Sequence, residues 1–310
     1  MSSKKIIFFL NILSIIFLVN IGFSKENKIL FKIDNNIITS LDILNEIKYL
    51  KVINKDILNN TTNNEVYEIA KNSLVKEKIK EIELLNHVEK IEIEEKYLNK
   101  ILLNYFKKNN INSKTEFDKF FSNFGLEPKN IEKKITIEIM WNQLIYEKFY
   151  KNVKIDKDVI KKKISNTKNL NEFLLSEIVF NVDASENLDK KYLKIKKNIN
   201  NSSFSEAALL FSISSSANNG GDLGWIKETS INKKILKEIS LIDIGEHTKP
   251  ILIPGGFLIL KINDKKISKI KNDEKKELDL TVKKMTNDQL NQFSNVYLNK
   301  IKKDVLINEL

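Results

Sequence analysis

The chain has no cysteine, and its 310 residues include only two histidines, three prolines and eight glycines. The absence of a thiol excludes disulfides, thiolate metal sites, cysteine nucleophiles and lipid-modified cysteines. Two histidines provide little material for a histidine-based catalytic or metal site. We therefore expect no cofactor and no metal, stability that comes from packed cores, and chemistry that uses other side chains.

Lysine gives the chain a formal net charge of +11. The lysines are spread through every segment and mixed with glutamate and aspartate. They form no aromatic-flanked basic stripe and belong to no recognisable nucleic-acid-binding module, so we expect no nucleic-acid partner. The charge is typical of a composition biased toward Lys, Ile and Asn, although a mild positive field also suits acidic polypeptides or lipid surfaces.

The amino terminus has the pattern of a signal peptide. Lys4 and Lys5 precede an apolar run over residues 6–23, and small residues, Gly22 and Ser24, lie before charged ones. This layout predicts a signal peptide over residues 1–24 that is cleaved after Ser24. No second apolar run of membrane-spanning length follows, so we expect no stable membrane insertion after cleavage. The alternative is an uncleaved anchor, because the run is nearly the roughly 20 residues that span a bilayer.

The segment after residue 25 predicts a hairpin followed by helices. Apolar runs at 29–33 and 37–39 flank the polar turn 34–36, which is typical of a hairpin. Ser40 is the expected N-cap of the next helix. Apolar residues at helical spacing continue for more than a hundred residues, including a helix that carries Phe117, Phe120 and Phe121.

Near residues 166–170 the pattern changes to an α+β order. The predicted elements are a strand at 173–180, helices at 188–199 and 204–211, a Ser/Asn/Gly-rich loop, a strand at 223–226, a helix at 233–239, and strands near 250–253 and 257–262. Beyond them, a helix is predicted whose apolar face holds Leu290, Phe293, Tyr297 and Ile301, followed by a closing strand at 305–307.

The loop and strand at 220–225 carry a distinctive motif: Gly220, Gly221, Asp222, Leu223, Gly224 and Trp225. Two consecutive glycines permit positive φ or a close backbone approach, although an ordinary turn would also explain them. The motif resembles the GGDLGW signature of the parvulin (PpiC-type) family of peptidyl-prolyl isomerases. The helix start at 204–208, Gly245, Pro250 and the pair at 256–257 follow in that family's order. The resemblance implies a parvulin domain over 170–266, an antiparallel sheet surrounded by helices.

The surrounding segments resemble the SurA family of periplasmic chaperones. That resemblance implies a mainly helical chaperone domain over 25–168, completed by a carboxy-terminal helix and strand at 270–310 that pack on it, with a single parvulin unit between. It further implies a periplasmic location, unfolded outer-membrane proteins and proline-containing peptides as partners, and no requirement for ATP. Aromatic residues of the tail, Phe293 and Tyr297, and of the helix with Phe117 are candidate client contacts, with core packing as the alternative.

The parvulin resemblance also identifies the positions where active members place two histidines and a Cys or Asp. In this sequence those positions hold Glu177, Ser214 and Leu258. Leu258 has no hydrogen-bonding side chain. We therefore expect little isomerase activity and assign a catalytic role to none of the three residues. The resemblance assigns peptide contacts to four residues, for which core packing is the alternative: Leu223, Ile231, Ile235 and Phe257.

Three functions remain open on the sequence. The first is a chaperone that holds unfolded chains, with a parvulin domain of doubtful competence. The second is an active isomerase. The third is a membrane-tethered interaction protein, if residues 6–23 are retained.

Overall fold

The computed structural model describes residues 27–59, 61–165, 169–182, 186–269 and 273–310. The predicted signal peptide, 1–24, and its cleavage site after Ser24 lie outside these residues. The described chain has the predicted α+β class, with long helices and antiparallel strands. Within the described ranges, every helix is too short or too polar to traverse a bilayer.

The first half of the chain is a hairpin followed by helices, as predicted. In chain order its elements are β1 (Ile29–Ile33), β2 (Asn36–Thr39), α1 (Ser40–Ile53), α2 (Lys55–Leu58), α3 (Asn63–Leu85), α4 (Glu95–Tyr105), α5 (Lys114–Asn123), α6 (Pro128–Phe149) and α7 (Lys157–Ser165). Strands β1 and β2 pair antiparallel, and Asp34 in their turn has a φ of 47°. The hairpin prediction is therefore confirmed.

Helix α1 is capped one residue earlier than predicted. The hydroxyl of Thr39, not of Ser40, accepts a hydrogen bond from the Asp42 amide (3.3 Å), and the Asp42 carboxylate accepts one from the Thr39 amide (2.8 Å). Thr39 ends a strand and keeps the extended backbone that an N-cap needs. Ser40 instead accepts a hydrogen bond from the Lys28 amide (3.1 Å), which ties the helix to the start of β1.

The aromatic residues of α5 lie in the core of the helical half. Phe117 and Phe121 are fully buried, with ring centroids 4.9 Å apart, and each also packs against Phe106. Phe120 is half-buried and meets Phe121 edge-on at 5.1 Å. Of the two interpretations of these aromatics, client contact and core packing, the structure supports core packing for Phe117 and Phe121, whose side chains have no exposed surface.

The second half contains the predicted sheet and ends in a long helix. Its elements are β3 (Asn169–Phe180), α8 (Leu188–Asn201), α9 (Phe204–Phe211), β4 (Asp222–Lys227), α10 (Lys233–Ile239), β5 (Ile251–Ile253), β6 (Gly256–Lys269), α11 (Glu274–Asp304) and β7 (Ile307–Glu309). Four strands form an antiparallel sheet in the order β4-β3-β6-β5. This order places β3 and β6 at the centre.

The two faces of this sheet bury different clusters, because side chains alternate across a strand. One face carries Leu175, Val179 and Leu258, which pack with residues around α10. The other face carries Ile178 and Phe180, which pack against α8 and α9. The first face holds the candidate site described below.

The carboxy-terminal segment packs on the first half of the chain. Phe293 stacks on Phe149 of α6 (5.4 Å), and Tyr297 stacks on Trp141 (5.8 Å). These two tail aromatics, predicted as client contacts, are thus engaged in holding α11 to α6. Strand β7 pairs antiparallel with β1.

Strand β7 begins two residues later than the predicted 305–307. Leu306 is held just before the strand by the β1–β2 turn: its carbonyl accepts a hydrogen bond from the Asp34 amide (3.0 Å), and its amide donates to the Asp34 carboxylate (3.1 Å). The strand pairing therefore starts only at Ile307.

Helix α9 connects the two halves of the molecule. Leu209 is buried in the core of the helical half, and the Lys76 ammonium of α3 donates to the Ser212 carbonyl (2.7 Å). The Thr61 hydroxyl donates to the buried Glu206 carboxylate (2.9 Å). The sheet is thereby fixed against α3 by both apolar and polar contacts.

Candidate peptide-binding site

The glycine pair brings a polar loop against the central strand β3. Gly220 and Gly221 have φ values of 62° and 79°. A Cβ on Gly221 would lie 2.2 Å from the Glu177 carbonyl oxygen, and the Gly221 carbonyl accepts a hydrogen bond from the Glu177 amide (2.8 Å). The expected positive φ and close approach are both confirmed, and they seat the 3-10 turn Ser215–Asn219 beside β3.

The remainder of the motif shapes the start of β4. Gly224 has a φ of 68°, and its amide donates to the Asp222 carboxylate (2.8 Å). The register between β3 and β4 shifts here, so that Leu223 is the extra residue of a bulge. Leu223 lines the cavity described below. Trp225 is partly exposed, with the Lys266 ammonium 3.9 Å from its ring centroid.

The side chains of Glu177, Ser214 and Ser216 meet where this loop packs against β3. The Glu177 carboxylate accepts hydrogen bonds from the Ser214 hydroxyl (2.6 Å) and the Ser216 hydroxyl (2.8 Å) through the same oxygen. Glu177 and Ser214 were identified from the sequence, and the structure brings them together. Ser216 was missed, because serines recur through this loop and the sequence does not show which one faces β3.

The electrostatic environment favours the protonated form of Glu177. Burial raises the pKa of this carboxyl, and the nearby Asp288 carboxylate raises it further. The hydroxyls of Ser214 and Ser216 and the charge of Lys284 offset part of this increase, but the pKa remains above its ordinary value. The site therefore contains a carboxyl group that is easier to protonate than an exposed glutamate.

An apolar cavity of about 620 Å³ opens beside this polar trio. Leu223, Ile231 and Ile235 line it, so their assignment as peptide contacts stays a prediction, and Leu258, which is only 5% exposed, lines it as well. A cavity of this size and character accommodates a few residues of an apolar peptide. The packing alternative also applies in part, since Ile231 and Leu258 belong to the buried cluster on this face.

Phe257 does not fit its predicted role as a peptide contact. Its side chain lies on the opposite face of the sheet, where it packs with the α8 and α9 cluster and stacks on Phe180 (5.7 Å). The alternation along β6 sends Leu258 toward the cavity and Phe257 away from it. Phe257 therefore supports the sheet from behind.

Helix α11 forms the far wall of the cavity. Met285, Gln289 and Gln292 line it, together with Lys284 and Asp288, which form an ion pair of 2.5 Å. Sequence reasoning missed all of these residues. They lie far along the chain from the glycine motif, and nothing in the spacing of α11 indicates which of its faces meets the sheet.

Neither histidine lies in the cavity. The His87 ring is hydrogen-bonded to the Glu83 carboxylate (2.9 Å), and the His247 ring to the Thr248 carbonyl (3.0 Å). Among the residues described by the structure, no group of three or more acidic or histidine side chains is arranged to hold a metal ion.

Comparison with known proteins identifies the sheet domain. Residues 176–264 match the family model of the rotamase, or PPIC-type PPIase, domain. Over 63 residues the chain is 40% identical to Chaperone SurA of Pseudomonas putida, a match that covers 20% of this chain and 15% of that protein. Over 84 residues it is 27% identical to the periplasmic chaperone PpiD of Haemophilus influenzae, covering 27% of this chain and 14% of that protein.

These sequence matches span only about 15% of the length of the relatives. A solved structure from the pair PEB4 and Cj1289 of Campylobacter jejuni, described as SurA-like chaperones, covers 92% of this chain and 99% of its own. Its identity is 16% and its TM-score 0.35, values that do not establish a common overall arrangement. Residues 176–264 carry a PPIC-type peptidyl-prolyl isomerase domain, and over a segment of 63 residues the chain is similar to the SurA chaperones.

Proposed function

We propose that the chain is a periplasmic chaperone that holds unfolded outer-membrane proteins reversibly, and that its PpiC-type domain binds apolar or proline-containing peptides with little catalysis. The observation that carries the proposal is the composition of the cavity. Its apolar walls are intact, while the three positions that active parvulins fill with catalytic side chains hold Glu177, Ser214 and Leu258.

Binding and catalysis place different demands on such a cavity. Rotation about the bond before proline crosses a barrier of roughly 20 kcal/mol, so a catalyst must stabilise the twisted amide more than the planar one. Here both serine hydroxyls donate to Glu177 and are not directed at a substrate. Leu258 supplies no donor, and an ionised Glu177 only accepts. The apolar walls bind planar and twisted forms about equally, which gives affinity without acceleration.

Holding an unfolded chain requires no chemical step. A protein that binds the unfolded form reversibly lowers its free concentration and slows aggregation, and release follows when a downstream partner binds the client more tightly. We propose that two domains contribute to this binding. One is a helical domain over 25–168 that is completed by 270–310, and the other is the PpiC-type domain over 170–266. The contacts of Lys76 with Ser212 and of Thr61 with Glu206 join them.

The test uses the chain from Lys25 to Leu310 in two assays. We expect suppressed aggregation of an unfolded outer-membrane barrel at stoichiometric chaperone, and no more than a small increase in the cis-to-trans rate of a proline tetrapeptide. A large rate increase would show that Glu177, Ser214 and Leu258 support catalysis. Aggregation that proceeds unchanged would refute the holding function.

One observation favours an active isomerase as a second candidate. The raised pKa of Glu177 means that a larger fraction of this carboxyl is protonated at mildly acidic pH, and a protonated carboxyl can donate a hydrogen bond to the amide. An isomerase of this kind would become faster as pH falls through the Glu177 pKa. A flat pH profile would exclude this role of Glu177.

The periplasmic location is part of the proposal and depends on cleavage after Ser24. Sequencing the amino terminus of the protein recovered from the bacterial envelope tests it. A terminus at Lys25 supports the soluble chaperone. An intact terminus, together with retention in the membrane fraction, supports a tethered interaction protein.

A further inference from the structure

A second concave surface lies away from the glycine motif and the sheet cavity. It is a cleft of about 860 Å³ between α3, α8 and the end of α11, and the half-buried Leu210 and Phe211 are among its apolar lining residues. Six lysines line it: Lys76, Lys191, Lys194, Lys197, Lys302 and Lys303. We refer to this surface as the basic cleft. Two glutamates, Glu65 and Glu68, are its acidic residues.

The positive charge of the basic cleft is poorly neutralised. Lys191 is paired with Glu186 (3.0 Å). The other five lysines form no ion pair with a carboxylate in the described parts of the chain; Lys194 lies over the Phe211 ring (5.8 Å). Like charges gathered in a concave surface repel one another and raise the local potential, which favours an anionic ligand.

Lys76 lies in an environment that disfavours its positive charge. Burial is the main cause of its lowered pKa, about 8; the charges of Lys80, outside the cleft, and of Lys302 contribute to the decrease, and Glu138 opposes it. The Lys76 ammonium keeps one hydrogen bond, to the Ser212 carbonyl. A carboxylate bound nearby would offset the repulsion.

The cleft also contains amide groups with unused hydrogen-bonding capacity. Asn198 is 9% exposed; its amide nitrogen donates to Glu65 (3.0 Å), but its carbonyl oxygen has no partner among the described residues. The amide nitrogen of Asn299 is likewise shielded from solvent and unpartnered there. Because neither atom has exposed surface, a peptide N–H or C=O would reach them only after the two side chains turn toward the cleft.

We infer that the basic cleft binds an acidic, extended polypeptide segment. Carboxylates of the segment pair with Lys194, Lys197 and Lys302 on the walls, and its apolar side chains cover the exposed parts of Leu210 and Phe211. An anionic bilayer is a less suitable ligand, because a flat surface does not enter a concave cleft and so does not contact the lysines on both of its walls. The origin of the segment in an unfolded client rests on the proposed chaperone function, whereas the binding itself does not.

The test measures fluorescence anisotropy of a short, labelled, proline-free peptide rich in Asp and Glu, with the chain from Lys25 to Leu310. A matched peptide carries Asn and Gln in place of the acids. We expect the acidic peptide to bind at least about tenfold more tightly, with an affinity that falls as salt is added. Equal affinity for both peptides would overturn the inference.

Charge-reversal variants locate the binding. Lys197→Glu combined with Lys302→Glu should weaken acidic-peptide binding by about tenfold or more. The control, Lys119→Glu combined with Lys129→Glu, changes two lysines outside the cleft by the same charge and should change the affinity less than about twofold. Circular dichroism verifies that both variants are folded. Equal losses in the two would mean that only the overall charge attracts the peptide.

Two further outcomes are informative. The first concerns vesicles of phosphatidylglycerol. If the unchanged chain binds these vesicles but not the acidic peptide, and the variant with Lys197→Glu and Lys302→Glu no longer binds the vesicles, the inference is overturned in favour of a lipid surface. Acidic-peptide binding that persists when aggregation of a barrel client is not suppressed would support the cleft and refute the chaperone function separately.

Discussion

The sheet cavity and the basic cleft share one helix but differ in chemistry. The cavity combines an aliphatic side with the buried carboxyl of Glu177 and the ion pair of Lys284 and Asp288, whereas the cleft is lined by six lysines, of which only Lys191 forms an ion pair within the described residues. Helix α11 contributes Met285 and Gln292 to the first and Asn299 and Lys302 to the second. A single long helix thus forms part of a largely apolar surface and of a positively charged one.

The largest effect on the cavity is expected from Gly221, which holds the polar loop against β3. Gly221→Ala would place a Cβ against the Glu177 carbonyl at a positive φ, and we expect it to lower the free energy of unfolding by about 3 kcal/mol or more. Urea denaturation measures the effect. Peptide binding in the cavity should be lost with the loop, while the residues of the basic cleft are unchanged.

Gly224→Ala is the matched control for this substitution. Its φ is also positive, but a Cβ there meets no atom within 4 Å, so we expect only the backbone cost of about 1 kcal/mol. Similar losses in the two variants would show that the contact of Gly221 with β3 is not what makes glycine necessary.

The next largest effect is expected from restoring the residues of active parvulins. The triple variant Glu177→His, Ser214→Asp and Leu258→His should raise kcat/KM for a proline peptide by about a hundredfold, the usual contribution of positioned polar groups. Coupled isomerisation assays measure it, with circular dichroism to verify folding, because Leu258 is buried. Binding of an acidic peptide should not change. A folded variant without any gain would mean that other features of the cavity prevent catalysis.

A single charge in the cavity should have a smaller effect. Leu223→Asp places a carboxylate on the apolar wall, and we expect affinity for an apolar proline peptide to fall by about tenfold or more. Leu241→Asp, at a residue that is 73% exposed and outside the cavity, is the control. Isothermal titration with both variants distinguishes a local effect from a general one.

The sheet cavity and the basic cleft differ in how far their residues could be predicted from the sequence. The cavity residues Leu223, Ile231 and Ile235 were identified through the resemblance to parvulins, whereas the backbone requirements of Gly221 and Gly224 by themselves predicted only a positive φ or a close approach. The β-strand period should also have placed Leu258 and Phe257 on opposite faces, and applying it would have removed Phe257 from the predicted contacts.

The basic cleft could not be located in this way. Its lysines come from three helices far apart in the chain, and in a lysine-rich sequence each one is typical of a solvated surface. Helical spacing likewise predicted the helices of the first half but not which aromatic residues would be covered: Phe117 and Phe121 became core because α4 and α6 pack over α5. Long-range packing decided both outcomes.

The smallest predicted effect concerns the charge of Glu177. Because burial and Asp288 raise its pKa in the folded chain, folding is accompanied by proton uptake at this carboxyl in the pH range above the ordinary glutamate pKa. Its contribution to stability is therefore greatest at low pH and declines as pH rises through the folded pKa. Glutamine cannot ionise and still accepts hydrogen bonds from Ser214 and Ser216.

Glu177→Gln should therefore raise the free energy of unfolding at pH 7, and the difference should vanish near pH 4. Glu172, on the same strand, provides a control of opposite sign: burial raises its pKa, but hydrogen bonds from Ser268 and Lys266 outweigh burial and leave it lowered. Glu172→Gln should destabilise the chain at pH 7 and less so in acid. Urea unfolding at pH 7 and pH 4 measures both differences. If Glu177→Gln also destabilises the chain at pH 7, the serine hydroxyls stabilise the ionised carboxylate of Glu177 by more than burial destabilises it.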